Sequence, residues 1–195
     1  MTQTISDDES DLKLEFDTET GTHLGVGFEL PLTSTLYVTP GILLNTRGFA
    51  NEIVDTSNMT SFKLRSRALY LDIPVLFGAR FPLGGETALA IQGGPYLGLG
   101  LYGQQKLEIT PSSDSSSEPF ENRLDIEWGN DNVMDNYRRL NYGLMGSVSF
   151  EYRRLLFGAT YDYSLTSAAP DPSKSYVRIR FKNWRFSLGY RFVRL

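Results

Sequence analysis

Between Leu69 and Phe81 the chain places a large apolar residue at every second position: Leu69, Leu71, Ile73, Val75, Phe77, Ala79 and Phe81. The intervening positions include Ala68, Tyr70, Asp72, Gly78 and Arg80. A period of two is the signature of a β-strand with unlike faces, because successive side chains point to opposite sides of the sheet. Seven more segments read the same way. Leu12–Phe16 and Leu24–Leu30 give strands one and two, Leu36–Asn45 strand three, and Leu89–Tyr102 strand five. Leu140–Glu151, Leu155–Ser164 and the terminal segment to Phe192 give six to eight. No stretch carries a convincing 3.6-residue apolar repeat, so the chain reads as all-β. In the last strand Val177, Ile179 and Phe181 hold the opposite parity to Trp184, Phe186 and Leu188, which predicts a bulge or turn near Lys182-Asn183. Pro40, Pro74 and Pro95 lie inside strands and predict local bulges, since each removes a ladder donor.

The two faces differ in kind. One carries large aliphatic and aromatic residues, and the other is rich in Gly, Ser and charge. This suits a narrow barrel whose inside is filled by its own small and polar side chains and whose outside meets lipid. A two-sheet sandwich would show the same alternation, so loop lengths separate the two. The second, fourth and sixth connections are short: Pro31–Ser34, Pro82–Glu86 and Arg153-Arg154. The third, fifth and seventh are longer: Thr46–Lys63, Gln104–Arg139 and Thr166–Ser175. Only the first, Asp17–Thr22, is short where a long one would fit. Tight turns on one side and long loops on the other are the habit of outer-membrane barrels. The expectation is therefore an eight-stranded, antiparallel, up-and-down transmembrane β-barrel with short periplasmic turns and longer external loops. It comprises a polar N-terminal segment 1–11, a single barrel domain 12–192 and a tail 193–195. A soluble lipocalin-like carrier is the alternative in which the aliphatic faces point inward.

Composition excludes several function classes. The 195 residues carry a net charge of -4 and no Lys/Arg-rich run, which argues against nucleic acid. With no cysteine there is no disulfide framework, thiolate metal site or cysteine nucleophile. The mean hydropathy of -0.26 does not contradict a membrane barrel, because lipid-facing and lumen-facing residues alternate. Met1–Asp11 lacks the basic start and apolar stretch of a secretory signal, so the expectation is a cytosolic protein or a form whose signal peptide is absent.

Inward parity collects a set of charges. Glu29, Arg80, Glu151 and Arg191 are expected at similar depth toward the turn side, with Lys13 near them, and Asp72, Asp162 and Arg185 in a second layer. Ions away from bulk water must pair, so these eight are read as a lumen ion-pair network, with a narrow polar conduit as the alternative. Tyr142, Tyr161, Tyr163 and Trp184 on the loop side, and Phe81, Phe150, Tyr152, Tyr190 and Phe192 on the turn side, are read as interface aromatics. His23 is the only histidine and points inward at the loop end of strand two. No nucleophile motif accompanies it, and no serine-carboxylate pair is expected around its ring. The acidic segment Gln104–Arg139 does not match an EF-hand loop. No catalytic residue, metal or cofactor is assigned.

Tyr70-Leu-Asp-Ile-Pro-Val-Leu76, Gly93-Gly-Pro-Tyr-Leu-Gly98 and the terminal Leu188-Gly-Tyr-Arg-Phe192 resemble the PorT-type outer-membrane β-barrel family of Bacteroidetes, over about Gly21–Phe192. Leu188–Phe192 also resembles the aromatic-ended signal read by the barrel-assembly machinery, although Val193-Arg-Leu195 follows it. The resemblance implies a bacterial outer-membrane location with outer-membrane lipids as surroundings. It does not fix a biochemical task, since members include a secretion-associated protein and many of unknown role. The expectation is a non-enzymatic structural or partner-binding component whose external loops contact another envelope protein, with a narrow channel or small-ligand conduit as the alternative.

Overall fold

In a computed structural model the described residues are 3–6, 14–18, 21–55, 60–111, 120–129, 138–167 and 178–192. They form twelve strand segments: β1 (Gln3–Ser6), β2 (Leu14–Thr18), β3 (His23–Gly27), β4 (Leu30–Pro31), β5 (Leu36–Asp55) and β6 (Thr60–Gly84). Then follow β7 (Thr87–Pro111), β8 (Phe120–Asp125), β9 (Leu140–Tyr152), β10 (Leu155–Ser164), β11 (Arg178–Arg180) and β12 (Lys182–Tyr190). The pairing order is β11-β1-β2-β5-β6-β7-β9-β10-β12, with β3 and β4 also on β5 and β8 on β7. Every ladder is antiparallel. Because β11 and β12 are separated only by Phe181, the sheet curls round and meets its own last strand at the loop end.

The curl is inside-out relative to a soluble barrel. Leu24, Val26, Ile73, Val75, Phe77, Ile91, Leu97, Leu144, Val148 and Phe186 lie bare on the outer face. The fully buried side chains include Arg47, Asp72, Asp162, Asn141 and Ser164, together with Tyr70 and Phe181. The carrier reading required the reverse, so it is overturned: aliphatic rows in water would be unstable, whereas lipid suits them. On β9 the outer row runs from Tyr142 to Tyr152, ten steps of roughly 3.4 Å. Tilted by about 45°, that covers roughly 25 Å, the height of an outer-membrane apolar band.

Three local expectations are corrected. Leu12–Phe16 and Leu24–Leu30 were read as two strands joined by a turn, but β2 pairs with Phe49-Ala50 and β3 with Gly41–Asn45, so both lie along β5 as one interrupted edge. The short first connection is thus no hairpin. Its apparent anomaly came from cutting a single strand in two, and the strand antiparallel to it is β1, inside the segment read as polar and N-terminal. Second, the prolines do not shift the register. The ladders skip two steps beside Pro74 on each side, yet the pairing resumes in the same frame; the register shifts of the β6–β7 ladder fall at Leu69/Tyr70 and Pro82/Gly84 instead. Third, no bulge separates Phe181 from Trp184. Phe181, Asn183 and Arg185 are all buried in unbroken alternation, so Phe181 keeps the inward parity and simply places an aromatic ring in the lumen.

The turns match their residues. Gly84 and Gly85 take φ of 112° and 59°, the left-handed region where a Cβ is penalised. Arg153 takes φ 57° without being glycine. Its N–H donates to the Glu86 carbonyl at 2.9 Å and its guanidinium to the Glu86 carboxylate at 2.7 Å, which fixes the turn. The long third and fifth connections are largely strand: β5 and β6 continue to Asp55 and Thr60, and β7 to Pro111 before β8 folds back on it.

Candidate functional site

The lumen is layered. At the turn end, inward positions of four segments bring Glu29, Arg80, Glu151 and Arg191 together. Arg80 donates to Glu29 at 2.8 Å and to Glu151 at 3.0 Å. Arg191 donates to Glu151 at 2.8 Å and to Glu29 at 3.3 Å. The result is a ring of alternating sign, with the Arg80 guanidinium also lying 4.8 Å from the Tyr37 ring centroid. Lys13 lies outside the described residues.

Above it sits an apolar layer of Leu76, Tyr96 and Met145, with Leu43 packed against it. The next layer is charged again. Arg47 holds Asp72 through one terminal nitrogen at 2.7 and 2.9 Å. Arg185 lies 3.1 Å from Asp162 and 4.0 Å from Asp72. Amides fill the remaining positions: Asn183 donates to Asp162 at 2.6 Å, Asn45 to Asp72 at 3.4 Å and Asn141 to the Ser164 hydroxyl at 2.6 Å. Tyr96 donates to the Asn141 carbonyl at 3.1 Å.

Arg47 was missed because it fell in the segment read as a long loop, although it shares the parity of Asn45 and is buried among Tyr70, Tyr96 and Phe181. Extending the strand-three alternation by one step would have found it. Trp128 was missed too, and nothing in its acidic surroundings signals a lumen cap. It meets Tyr70 edge-on at 5.5 Å and lies over Gly100, where a Cβ would collide with its indole.

The aromatics expected at the interface occupy two zones on the outer face. Tyr142 and Trp184 are exposed on the loop side, with Tyr161 half-buried and 5.0 Å from the Trp184 ring, and Tyr163 beneath the Lys182 ammonium at 5.8 Å. Phe81, Phe150, Tyr152, Tyr190 and Phe192 are exposed on the turn side, the last two 5.2 Å apart.

His23 has a hydroxyl partner in the lumen: its Nε2 lies 2.9 Å from the Ser187 hydroxyl. Among the described residues no carboxylate hydrogen-bonds the ring, so the pair lacks the third member that orients a triad base. No group of three His, Cys, Asp or Glu side chains that could hold a metal occurs among the described residues. Of the acidic segment, Glu108 and Glu121 flank Lys106 on the extended β7–β8 hairpin, and Asp125 accepts from Tyr102 and Gln104 at 3.3 Å. Asp114, Glu118, Asp131 and Asp135 lie outside the described residues.

No curated protein and no solved structure matches the chain. A family model described as an outer membrane protein beta-barrel domain matches residues 1–169. The bare apolar belt, the charged lumen and this match agree, and the chain belongs to the outer-membrane protein β-barrel domain family.

Proposed function

We propose that the protein is a non-enzymatic outer-membrane barrel that binds another envelope protein through its external projection, in a structural or secretion-associated role. The observation that carries this reading is the height of β5–β8. From the Ala68/Gly103 pair the β6–β7 ladder continues eight further steps to Thr60/Pro111, beyond the apolar belt. At roughly 3.4 Å per step that is about 27 Å of sheet with no lipid to face. Two of its rows are charged: Arg65 pairs across to Lys106 and on to Arg123, and Lys63 to Glu108 and on to Glu121. A sheet with charged rows held off the membrane suits recognition of a protein surface, where polar complementarity sets specificity.

The layered lumen supports a structural barrel over a conduit. Two ion-paired layers enclose Leu76, Tyr96 and Met145, and a barrel as narrow as this one leaves little space beyond its own side chains. A photo-crosslinker at Arg123 of β8 tests the reading in native membranes, with the same probe at Phe192 as the turn-side control. A discrete crosslinked envelope protein from Arg123 alone is the expected result. No adduct from Arg123, or stable single-channel steps in a planar bilayer, would overturn it.

A further inference from the structure

Among the described residues the sheet meets itself only at the loop end. There β1 fills the join, pairing with β2 on one side and β11 on the other. Below Gln3 the same two edges continue as β3–β4 and β12, and among the described residues no ladder joins them: β3 and β4 pair with β5 alone, and β12 with β10 alone. Following the antiparallel order from β3 through β5, β6, β7, β9 and β10 to β12 gives seven strands, so the first and last run in the same direction. They are edges of one seam, parallel to each other.

Three observations show that the seam is one strand wide. First, β1 sits between the same edges at the loop end, which sets them two ladder spacings apart, roughly 9.6 Å. Second, the contacts that cross the seam are made by side chains reaching through the lumen, His23 to Ser187 at 2.9 Å and Arg191 to Glu29 at 3.3 Å. Third, the outer-face residues along it lack a neighbour on one side. Leu24, Val26, Phe186 and Leu188 are 64–78% exposed, against 38–48% for Ile73, Val75, Ile91 and Val148 within the sheet. Among the described residues these two edges therefore have no ladder partner for their outward N–H and C=O groups at the level of the apolar belt, where lipid offers no hydrogen bond.

We propose that this seam is an acceptor for one further β-strand: an extended segment of about nine residues, in line with the Gln3 end of β1 and antiparallel to both edges. Its alternate positions are apolar toward lipid, continuing the Leu24 and Leu188 rows, and the intervening ones are small, because the His23–Ser187 and Arg191–Glu29 contacts already fill the lumen beneath. A polypeptide strand fits better than its competitors. Direct zipping of β3 to β12 would make a parallel ladder, unlike every other in the molecule, and would have to expel both lumen contacts. A second copy would bring its own parallel edges and produce two such joints. Acyl chains would cover the apolar rows but leave the backbone groups unpaired.

The register of the occupant follows from β1. Thr4 pairs with Arg180, so the partner of Leu188, eight residues farther down, lies eight residues before Thr4. The chain contains no cysteine, so introduced pairs can be read singly. The test extends the full chain before Met1 by nine residues of alternating Val and Gly, with one cysteine in place of the Val eight residues before Thr4. This is combined in separate variants with L188C and L24C, folded into phosphatidylcholine vesicles. Disulfides to both partners are expected, with a heat-modifiable gel mobility more resistant to boiling than that of the unextended chain. An extension of the same composition with the alternation scrambled is expected to form neither. The proposal is overturned if the alternating extension crosslinks no better than the scrambled one, if L24C and L188C join directly within one unextended chain, or if they join between two copies.

Discussion

Removing Asp72 tests whether the upper lumen is held by a coupled ion pair or merely filled. Arg47 and Asp72 both have side chains that are 0% exposed, 2.7 Å apart. Substituting Asp72→Ala leaves a guanidinium with no route to water, facing the Asn141 oxygen at 3.4 Å and the Tyr70, Tyr96 and Phe181 rings. Stranding one member of a buried pair costs about 3–5 kcal/mol. Replacing both, Arg47→Met with Asp72→Leu, removes two desolvation penalties along with their mutual attraction. Asn141 keeps its bonds to Tyr96 and Ser164, and Asn45 loses a weak one at 3.4 Å, so the double variant is expected to fall only about 1–2 kcal/mol below the parent. The coupling between the sites is then at least about 3 kcal/mol. Urea unfolding in phospholipid vesicles, followed by the fluorescence of the two tryptophans, measures all four corners of the cycle. A loss under about 1 kcal/mol for Asp72→Ala, or a double variant as unstable as the sum of the singles, would refute the reasoning.

Much of this architecture is legible because the sequence alternates with period two wherever a strand crosses the belt. Parity alone puts Glu29, Arg80, Glu151 and Arg191 on one side of the sheet, and the structure brings each arginine within 3.3 Å of both glutamates, in alternating order. Parity carries no information on where pairing stops. Thr46–Asp55 and Thr60–Lys63 are polar enough to read as loop, yet they are strand, because ladder bonds form between backbones whatever the side chains. Arg47 was lost with them. The first edge failed differently: the interruption between β2 and β3 resembles a turn in sequence, and only the shared partner β5 shows that the chain runs straight on. Trp128 and Phe181 were unreadable for a third reason. They cap the lumen by long-range packing on Tyr70, a contact that no local pattern encodes.

Adjacent glycines in β7 should respond in opposite ways. A Cβ on Gly94 would collide with the Val75 carbonyl, so Gly94→Ala is expected to cost about 1–3 kcal/mol, while on Gly93 the nearest atom is 3.7 Å away and Gly93→Ala should change stability by under about 0.5 kcal/mol; urea midpoints distinguish them. On the external hairpin, hydrogen bonds from Lys106 hold the Glu108 and Glu121 carboxyls below the ordinary carboxylate range, and the same bonds, Glu108 first, raise Lys106. A lowered acid stabilises fully above its unfolded value and loses that contribution as pH falls through the folded one; a raised lysine does so below its unfolded value and loses it as pH rises. The hairpin should therefore be firmest between about pH 5 and 10. Amide exchange in Phe120–Asp125, corrected for intrinsic rates, should speed up on acidification in the parent but not in Lys106→Met. The last prediction concerns the face that makes this a membrane protein at all. Ile73 is bare on the outer side of β6, one residue from fully buried Asp72, so the same charge placed at neighbouring positions meets opposite surroundings. Ile73→Arg puts a cation into hydrocarbon, at about 2–4 kcal/mol if the residue lies near the bilayer midplane. The decisive comparison varies the bilayer: a thinner one brings the interface closer and should reduce the penalty. A penalty that stays the same across vesicles of 10- and 14-carbon acyl chains would mean that Ile73 does not face lipid.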